Sequence, residues 1–206
     1  PYHGASGAAG LIGQLPVTSG DTTGTLDAMA GANMIKARGT EAAQSGESAY
    51  LAEILVRGTE ITAIEVCQAA QMGDAVSTEI IVQSGRLIGG VVATLANMLN
   101  PQLIVIAGSI AQTSDILLAS VREAVYGASH PLVTRDLRIL RSQMGNSAAL
   151  LGAAGIAVSA LFDPTFLKGW ILLGSPTRHP DFLHGLETLG SITQQANDGA
   201  QAPPGR

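Results

Sequence analysis

The chain has 206 residues, 46% of them hydrophobic, 3% aromatic and 13% charged, with a formal net charge of -5. That length suits one domain or two small ones with an aliphatic core. The acidic balance argues against a large nucleic-acid footprint on this piece, and the single cysteine, Cys67, excludes an internal disulfide.

Residues 1–24 are rich in Gly, Ser and Thr, which is loop and turn chemistry, with a short extended segment expected around Leu11 to Val17. Nothing like a first strand or helix precedes Gly4, so the first ordered residues are expected to pack on something this chain lacks. Leu26, Met29, Ala30, Asn33 and Met34 keep helical spacing and predict a helix over 26–36, with Asp27 in its first turn, where a negative charge suits the dipole. Gly39 to Ser48 reads as a polar connection, and Tyr50 to Val56 as a short helix. Thr62-Ala-Ile-Glu65 fits a capping box opening a helix to about Met72, closed by Gly73. Cys67 on that apolar stretch reads as a buried, inert thiol.

Asp74 to Ser109 is the stretch on which the rest depends. Asp74 predicts an N-cap. Ile80, Ile81, Ser84, Leu87, Ile88, Val91, Leu95, Met98 and Leu99 recur at three- and four-residue steps, as one packed helix face does. Gly85, Gly89 and Gly90 would each weaken that helix by roughly 1 kcal/mol relative to Ala, so they are expected where another backbone comes close. Asn100-Pro101 ends it, because a residue before Pro is pushed out of the helical region. Leu103 to Ile106 then predicts a strand covered on both faces. It runs into Ala107-Gly108-Ser109, at the strand end where open α/β sheets hold ligands.

Asp115 to Tyr126 predicts an amphipathic helix with Ile116, Leu117, Val121, Ala124 and Val125 on one face. Leu137 to Ser142 alternates as a strand, and Asn146 is placed to cap a last helix to about Leu161. This order implies an α/β layered domain. Phe166 to Leu173 is a short apolar stretch. From about Ser175 the Pro, Gly, Gln and Asn content predicts a flexible tail, with one weak helix near Phe182 to Leu189. No apolar run is expected to approach the roughly 20 residues of a membrane span, and no signal peptide is evident, so a cytoplasmic setting without membrane contact is expected.

The order of these segments resembles the C-terminal part of the ROK family, which contains bacterial sugar kinases and sugar-responsive repressors. GASGAAGLIGQLPV (Gly4 to Val17) is similar to the family's GAxGxAGExGHxPV, and TLDAMAG (Thr25 to Gly31) to the segment after its cysteine cluster, where Cys-Leu-Glu-Ala is usual. NPQLIVIAGSI resembles the adenosine-side NPxxIVxGGxI turn, and SQMGNSAALLGAAGIA (Ser142 to Ala157) the closing helix. The resemblance covers roughly residues 3–160. It implies the C-terminal lobe of an actin-like ATPase (ribonuclease H-like) fold over 1–162, with a long central helix and a mixed sheet, and an extension over 163–206. The phosphate-binding Asp-x-Gly segment and the Asn-Asp that supplies the catalytic base lie upstream in family members.

The departures bear on function. Where family members hold sugar hydroxyls with the Glu and His of ExGH, and zinc with that His, this chain has Leu11 and Gln14. The family's Cys-x-Cys-Gly-x-x-Gly-Cys cluster falls on Thr18, Gly20 and Thr25, so all three thiolates are gone. Tetrahedral zinc needs thiolate or imidazole ligands there, and no structural zinc is expected. Asp27 stands where the family has a sugar-binding Glu; it reads equally as a ligand contact or as a solvated carboxylate at a helix start. Ala107, Gly108 and Ser109 replace Gly-Gly-Gly, keeping the backbone amides but narrowing the approach to a purine, so a structural turn and a nucleotide site both stand. The four histidines form no cluster: His130 precedes Pro131 in a turn, and His3, His179 and His184 read as surface residues.

The resemblance therefore implies a transcriptional regulator's effector-binding and dimerisation part, catalytically inactive, that forms a homodimer, takes a sugar effector and touches DNA only through an N-terminal segment outside this chain. Its alternatives are an ATP-dependent sugar kinase, using ATP and Mg, and a non-binding structural dimerisation lobe. A lone lobe is expected to expose the apolar surface that normally faces its partner.

Overall fold

The computed structural model describes residues 4–175 together with Pro180 and Leu183. The chain divides into two compact units, Pro1–Asn146 and Ser147–Arg206. The first begins with a 3-10 turn, Ile12–Gln14, and a hairpin of β1 (Pro16–Ser19) and β2 (Thr22–Thr25). The hairpin occupies a stretch read from sequence as loop with one extended segment. Its strands pair antiparallel, Thr18 opposite Thr23, and Gly20 at φ +58° opens the two-residue turn.

The helix expected over 26–36 is two helices, α1 (Leu26–Ala30) and α2 (Ala32–Ser45), with Gly31 in extended conformation between them. The second continues through the segment read as a polar connection. A β-carbon on Gly39 would stand 2.3 Å from Val66 Cγ2, so this glycine lets two helices touch rather than ending one. After α3 (Ala49–Val56) comes α4 (Ala63–Gln71). Both halves of the α4 capping box form: the Thr62 N–H donates to Glu65 Oε2 at 2.9 Å and the Ile64 N–H to Thr62 Oγ1 at 3.1 Å.

The central helix, α5 (Ala75–Leu99), runs 25 residues. The Ser77 N–H donates to Asp74 Oδ2 at 2.9 Å, and the Ser48 hydroxyl donates to Asp74 Oδ1 at 2.9 Å, so one carboxylate caps α5 and ties it to the start of α3. Asn100, in the left-handed region at φ +46°, stops the helix before Pro101. By length and composition α5 could cross a membrane, which the sequence reading did not anticipate; half of its most apolar window is buried inside the fold, and it is the core helix. Met98 and Leu99 leave the packed face and are exposed.

Next come β3 (Leu103–Ile106), α6 (Ser109–Thr113), α7 (Asp115–Ala128), α8 (Pro131–Thr134) and β4 (Arg138–Arg141). β3 and β4 pair in parallel, Ile104 opposite Ile139. The strand β3 is covered on one face and not on two: Ile104 and Ile106 pack inward while Leu103 and Val105 are 43% and 52% exposed. A β-branched run satisfies either arrangement. Just before β4, Leu137 O accepts the Tyr126 hydroxyl at 3.2 Å, and within it Ile139 O accepts Arg122 Nε at 2.9 Å and Nη2 at 2.6 Å. His130 caps α8 through Nδ1, which accepts the Leu132 N–H at 3.2 Å.

One core cluster, including Ile35, Leu51, Ile61, Val66 and Ile81, lies among α2, α3, α4 and α5; a second, with Val92, Val121, Val125 and Ile139, joins α5 and α7 to the sheet. Each fully buried aliphatic side chain contributes about 1.5–3 kcal/mol. A third, smaller cluster sets Leu26 and Ala30 of α1 on Val91 of α5. Cys67 is fully buried, and burial pushes its thiol up to about 11 against a weaker opposing hydrogen bond from Ser114.

The second unit contains α9 (Ala148–Leu161) and α10 (Pro164–Leu173). The first unit ends at Asn146, before α9. Asn146 sits inside a 3-10 turn, Gly145–Ser147, and Ser147 takes the N-cap position without a side-chain cap. The tail helix expected near Phe182 to Leu189 lies, apart from Leu183, outside the described residues.

Candidate functional site

A five-residue helix is too short to hold itself in water, so α1, which carries Asp27, takes its place from anchors around it. Thr25 caps its start, its hydroxyl accepting the Ala28 N–H at 3.3 Å, and the Leu26 N–H donates to Leu15 O at 2.9 Å. At its end the Ser84 hydroxyl donates to Ala30 O at 2.6 Å. The hairpin before it is tied to α5 where Gln83 Nε2 donates to Ser19 Oγ at 3.0 Å, and it is closed by the Thr18 and Thr23 hydroxyls at 3.1 Å. Two of the three positions that match the family's cysteine cluster are therefore occupied by hydroxyls already engaged in hydrogen bonds, and the third by the turn glycine.

Asp27 faces a cleft of about 470 Å³, of a size for a small molecule. Gly13 and Gly31 crowd the carboxylate: a β-carbon on Gly13 would lie 3.4 Å from Asp27 Cβ, and one on Gly31 would lie 2.6 Å from Asp27 Oδ1 and 2.3 Å from its carbonyl oxygen. Across the cleft stands Ala107-Gly108-Ser109, at the C-terminal end of β3. Gly108, at φ +109°, adopts a backbone that L side chains rarely take. Among the described residues that line the cleft Asp27 is the one ionisable group; the walls are otherwise mostly apolar, with Ile12, Leu26, Ile88, Val105 and Ile110. Chemically it offers a carboxylate to accept hydroxyl or ammonium donors and a glycine-centred turn of backbone amides.

The structure thus brings Asp27, Ala107, Gly108 and Ser109 into one cleft, and it leaves Leu11 and Gln14 out of the lining. In the 3-10 turn the Gln14 N–H donates to Leu11 O at 3.1 Å and the Leu15 N–H to Ile12 O at 3.1 Å. This turns Ile12 and Gly13 to the cleft while Leu11 is 65% exposed and Gln14 is exposed. Gly31 and Ser84 were not singled out as site residues from sequence. Gly31 had a readable signal, a glycine inside a helical pattern; Ser84 had none, being one member of a long apolar face. Among the described residues no group of three His, Cys, Asp or Glu side chains could hold a metal.

A family model described as ROK family matches residues 1–160. The glucokinase of Halalkalibacterium halodurans is 29% identical over 157 residues, covering 73% of this chain and 48% of the glucokinase. The DNA-binding transcriptional repressor Mlc of Escherichia coli is 26% identical over 113 residues, covering 55% of this chain and 28% of the repressor. Among solved structures, a ROK family glucokinase from Streptomyces griseus in complex with glucose and AMPPNP has a TM-score of 0.63 at 21% identity, covering 75% of this chain and 53% of that one. The matched region is about half the length of these relatives or less. The fold is the α/β fold of the actin-like ATPases, and the chain belongs to the ROK family.

Proposed function

We propose that this chain is the effector-binding and dimerisation part of a ROK-type transcriptional regulator, and that it does not phosphorylate sugar. The observation that carries the reading is the polar inventory of the cleft. Phosphoryl transfer needs a base, a substrate held in line and a bound nucleotide. The catalytic base of family members lies upstream of this chain, so the reading rests on the substrate contacts: the positions matching the family's sugar-holding Glu and His are Leu11 and Gln14, and neither lines the cleft. Such a cleft supports recognition of a small polar ligand, which is what a ligand-responsive repressor requires. The relationship to Mlc, a DNA-binding repressor, supports the same reading. DNA contact would lie outside this chain, two copies would associate, and the protein would work in the cytoplasm without a zinc ion.

The sugar kinase is the second reading, favoured by one observation: Asp27 and the turn Ala107–Ser109 share a cleft, as sugar and nucleotide contacts of one enzyme would. ATP and Mg belong only to that reading. The full-length gene product decides between them. Calorimetric binding of glucose, N-acetylglucosamine or xylose, with no sugar-dependent ADP release from Mg-ATP and with ligand-dependent DNA binding, supports the regulator. Turnover of any of these sugars with ATP overturns it.

A further inference from the structure

Hydroxyls inside the helices mostly bond back to their own helix. Thr78 donates to Asp74 O, Thr94 to Gly90 O and Ser120 to Ile116 O, each four residues earlier. Ser84 does not. It is fully buried in the middle of α5, and its hydroxyl reaches across to Ala30 O in the last turn of α1, 54 residues away in sequence. Ala30 O is one of the helix-end carbonyls that α1 itself cannot satisfy. Ser84 therefore serves as the C-terminal cap of a helix to which it does not belong, and both Ser84 and Ala30 form part of the wall of the Asp27 cleft.

From this geometry we infer that Ser84 is a positioning residue for Asp27. The helix α1 has five residues and cannot orient a carboxylate by its own stability. Its anchors on α5 are the packing of Leu26 and Ala30 on Val91, with Leu87 and Ile88 against them, which is apolar and can slide, and the Ser84 hydrogen bond, which is directional. The neighbouring residue Gln83 holds the hairpin that leads into α1. Adjacent residues of the core helix thus fix both the approach to α1 and its end, with Asp27 between them. The inference rests on the reading of Asp27 as a ligand contact.

The test uses the full-length gene product with D-glucose, N-acetyl-D-glucosamine and D-xylose as probes, and the variants Ser84→Ala, Asp27→Asn, the pair together, and Ser120→Ala as a buried-hydroxyl control. Ser84→Ala should weaken binding about fivefold, the effect of one lost hydrogen bond. It should add nothing in the Asp27→Asn background, because it acts through that carboxylate. Ser120→Ala should leave the affinity unchanged. Additive losses, or no loss in Ser84→Ala while Asp27→Asn weakens binding, would overturn the inference alone. No loss in Asp27→Asn would remove both it and the reading of the site. A second readout needs no ligand: amide exchange over residues 26–31 should quicken about fivefold in Ser84→Ala and stay unchanged in α4. Unchanged exchange over 26–31 overturns the inference whatever the probes do.

Discussion

Gly89 of α5 and Ala124 of α7 meet so closely that a β-carbon on Gly89 would stand 2.5 Å from the Ala124 methyl and 2.9 Å from Val121 O. Gly85 meets Ser120 Cβ in the same way at 2.6 Å, one turn earlier. Gly90, next in sequence, faces open space. Gly89→Ala should therefore destabilise the chain by about 1–3 kcal/mol through overpacking. Gly90→Ala should stabilise it by roughly 0.5–1 kcal/mol through reduced backbone freedom in the unfolded chain. Urea midpoints of the two variants moving in opposite directions would check this; equal shifts would contradict it.

Gly31→Ala should act on both the fold and the ligand. The added methyl would press on Asp27 Oδ1 and its carbonyl oxygen, turning the carboxylate away from the cleft. Binding of whichever sugar the full-length protein takes should weaken by about tenfold or more, and the backbone clash at Asp27 O should lower stability by about 1–3 kcal/mol, as at Gly89. An unchanged affinity would show that Asp27 is not a contact.

Two helix-capping carboxylates set an acid limit on stability. The hydrogen bond from the Thr62 side chain is the main cause that holds Glu65 below the usual carboxylate range, against a smaller upward push from burial. For Asp74 burial pushes upward, but the hydrogen bonds from Ser77 and from the Ser48 hydroxyl, of which the Ser77 N–H and Ser48 Oγ bonds are formed at 2.9 Å, outweigh it, and the carboxyl is also lowered. A folded-state value below the unfolded one stabilises the protein above the unfolded value, and that stability is lost as pH falls through the folded value. Asp74→Ala should cost about 1 kcal/mol at neutral pH. The gap between this variant and the parent should close in acid, below about pH 4. Denaturation midpoints along a pH series test the convergence.

Cys67 carries the opposite sign. Its folded-state value, raised to about 11 from 9.0, keeps the thiol neutral. Stability should be unaffected at neutral pH and should fall as pH rises from about 9 toward 11, where the unfolded chain releases a proton that the native one retains. At pH 8 a disulfide reagent should leave the native protein unlabelled and label it in denaturant. Rapid labelling of the native protein would refute the burial argument.

The hairpin gives a prediction about metal. With the Thr18 and Thr23 hydroxyls paired and Thr25 capping α1, metal analysis of the purified protein should give no stoichiometric zinc. A chelator should leave the melting temperature unchanged. Thr25→Ala should cost about 1 kcal/mol as a lost cap.

Features whose cause is local were legible in the sequence. Asp74, the Thr62–Glu65 box and Asn100-Pro101 act through neighbours within four residues, so their chemistry shows in the string. Features whose cause is a distant partner were not. Gly39 looked like a break because Val66, which it must admit, lies elsewhere in the chain. Only the start of the hairpin was legible, in the extended segment to Val17, because its strands, Pro-Val-Thr-Ser and Thr-Thr-Gly-Thr, carry no apolar alternation. The strand β3 looked doubly covered because Ile and Val suit a buried face and tolerate an exposed one. In the cleft, Asp27 and the turn after β3 could be named from the resemblance. That Ile12 and Gly13 replace Leu11 and Gln14 in the lining depends on how one 3-10 turn rotates. No spacing encodes the reach of Ser84 to Ala30.

The grip of Arg122 and Tyr126 on β4 has a consequence for solubility. Sheets recruit foreign strands at unguarded rims, the route by which partly folded chains clump. On the outer side of β4 the carbonyl of Ile139, and just before the strand that of Leu137, are already spoken for, and a bulky cation stands in the path of an incoming backbone. Removing that guard, as in Arg122→Ala, would leave Ile139 O unclaimed and invite neighbouring molecules to stack there.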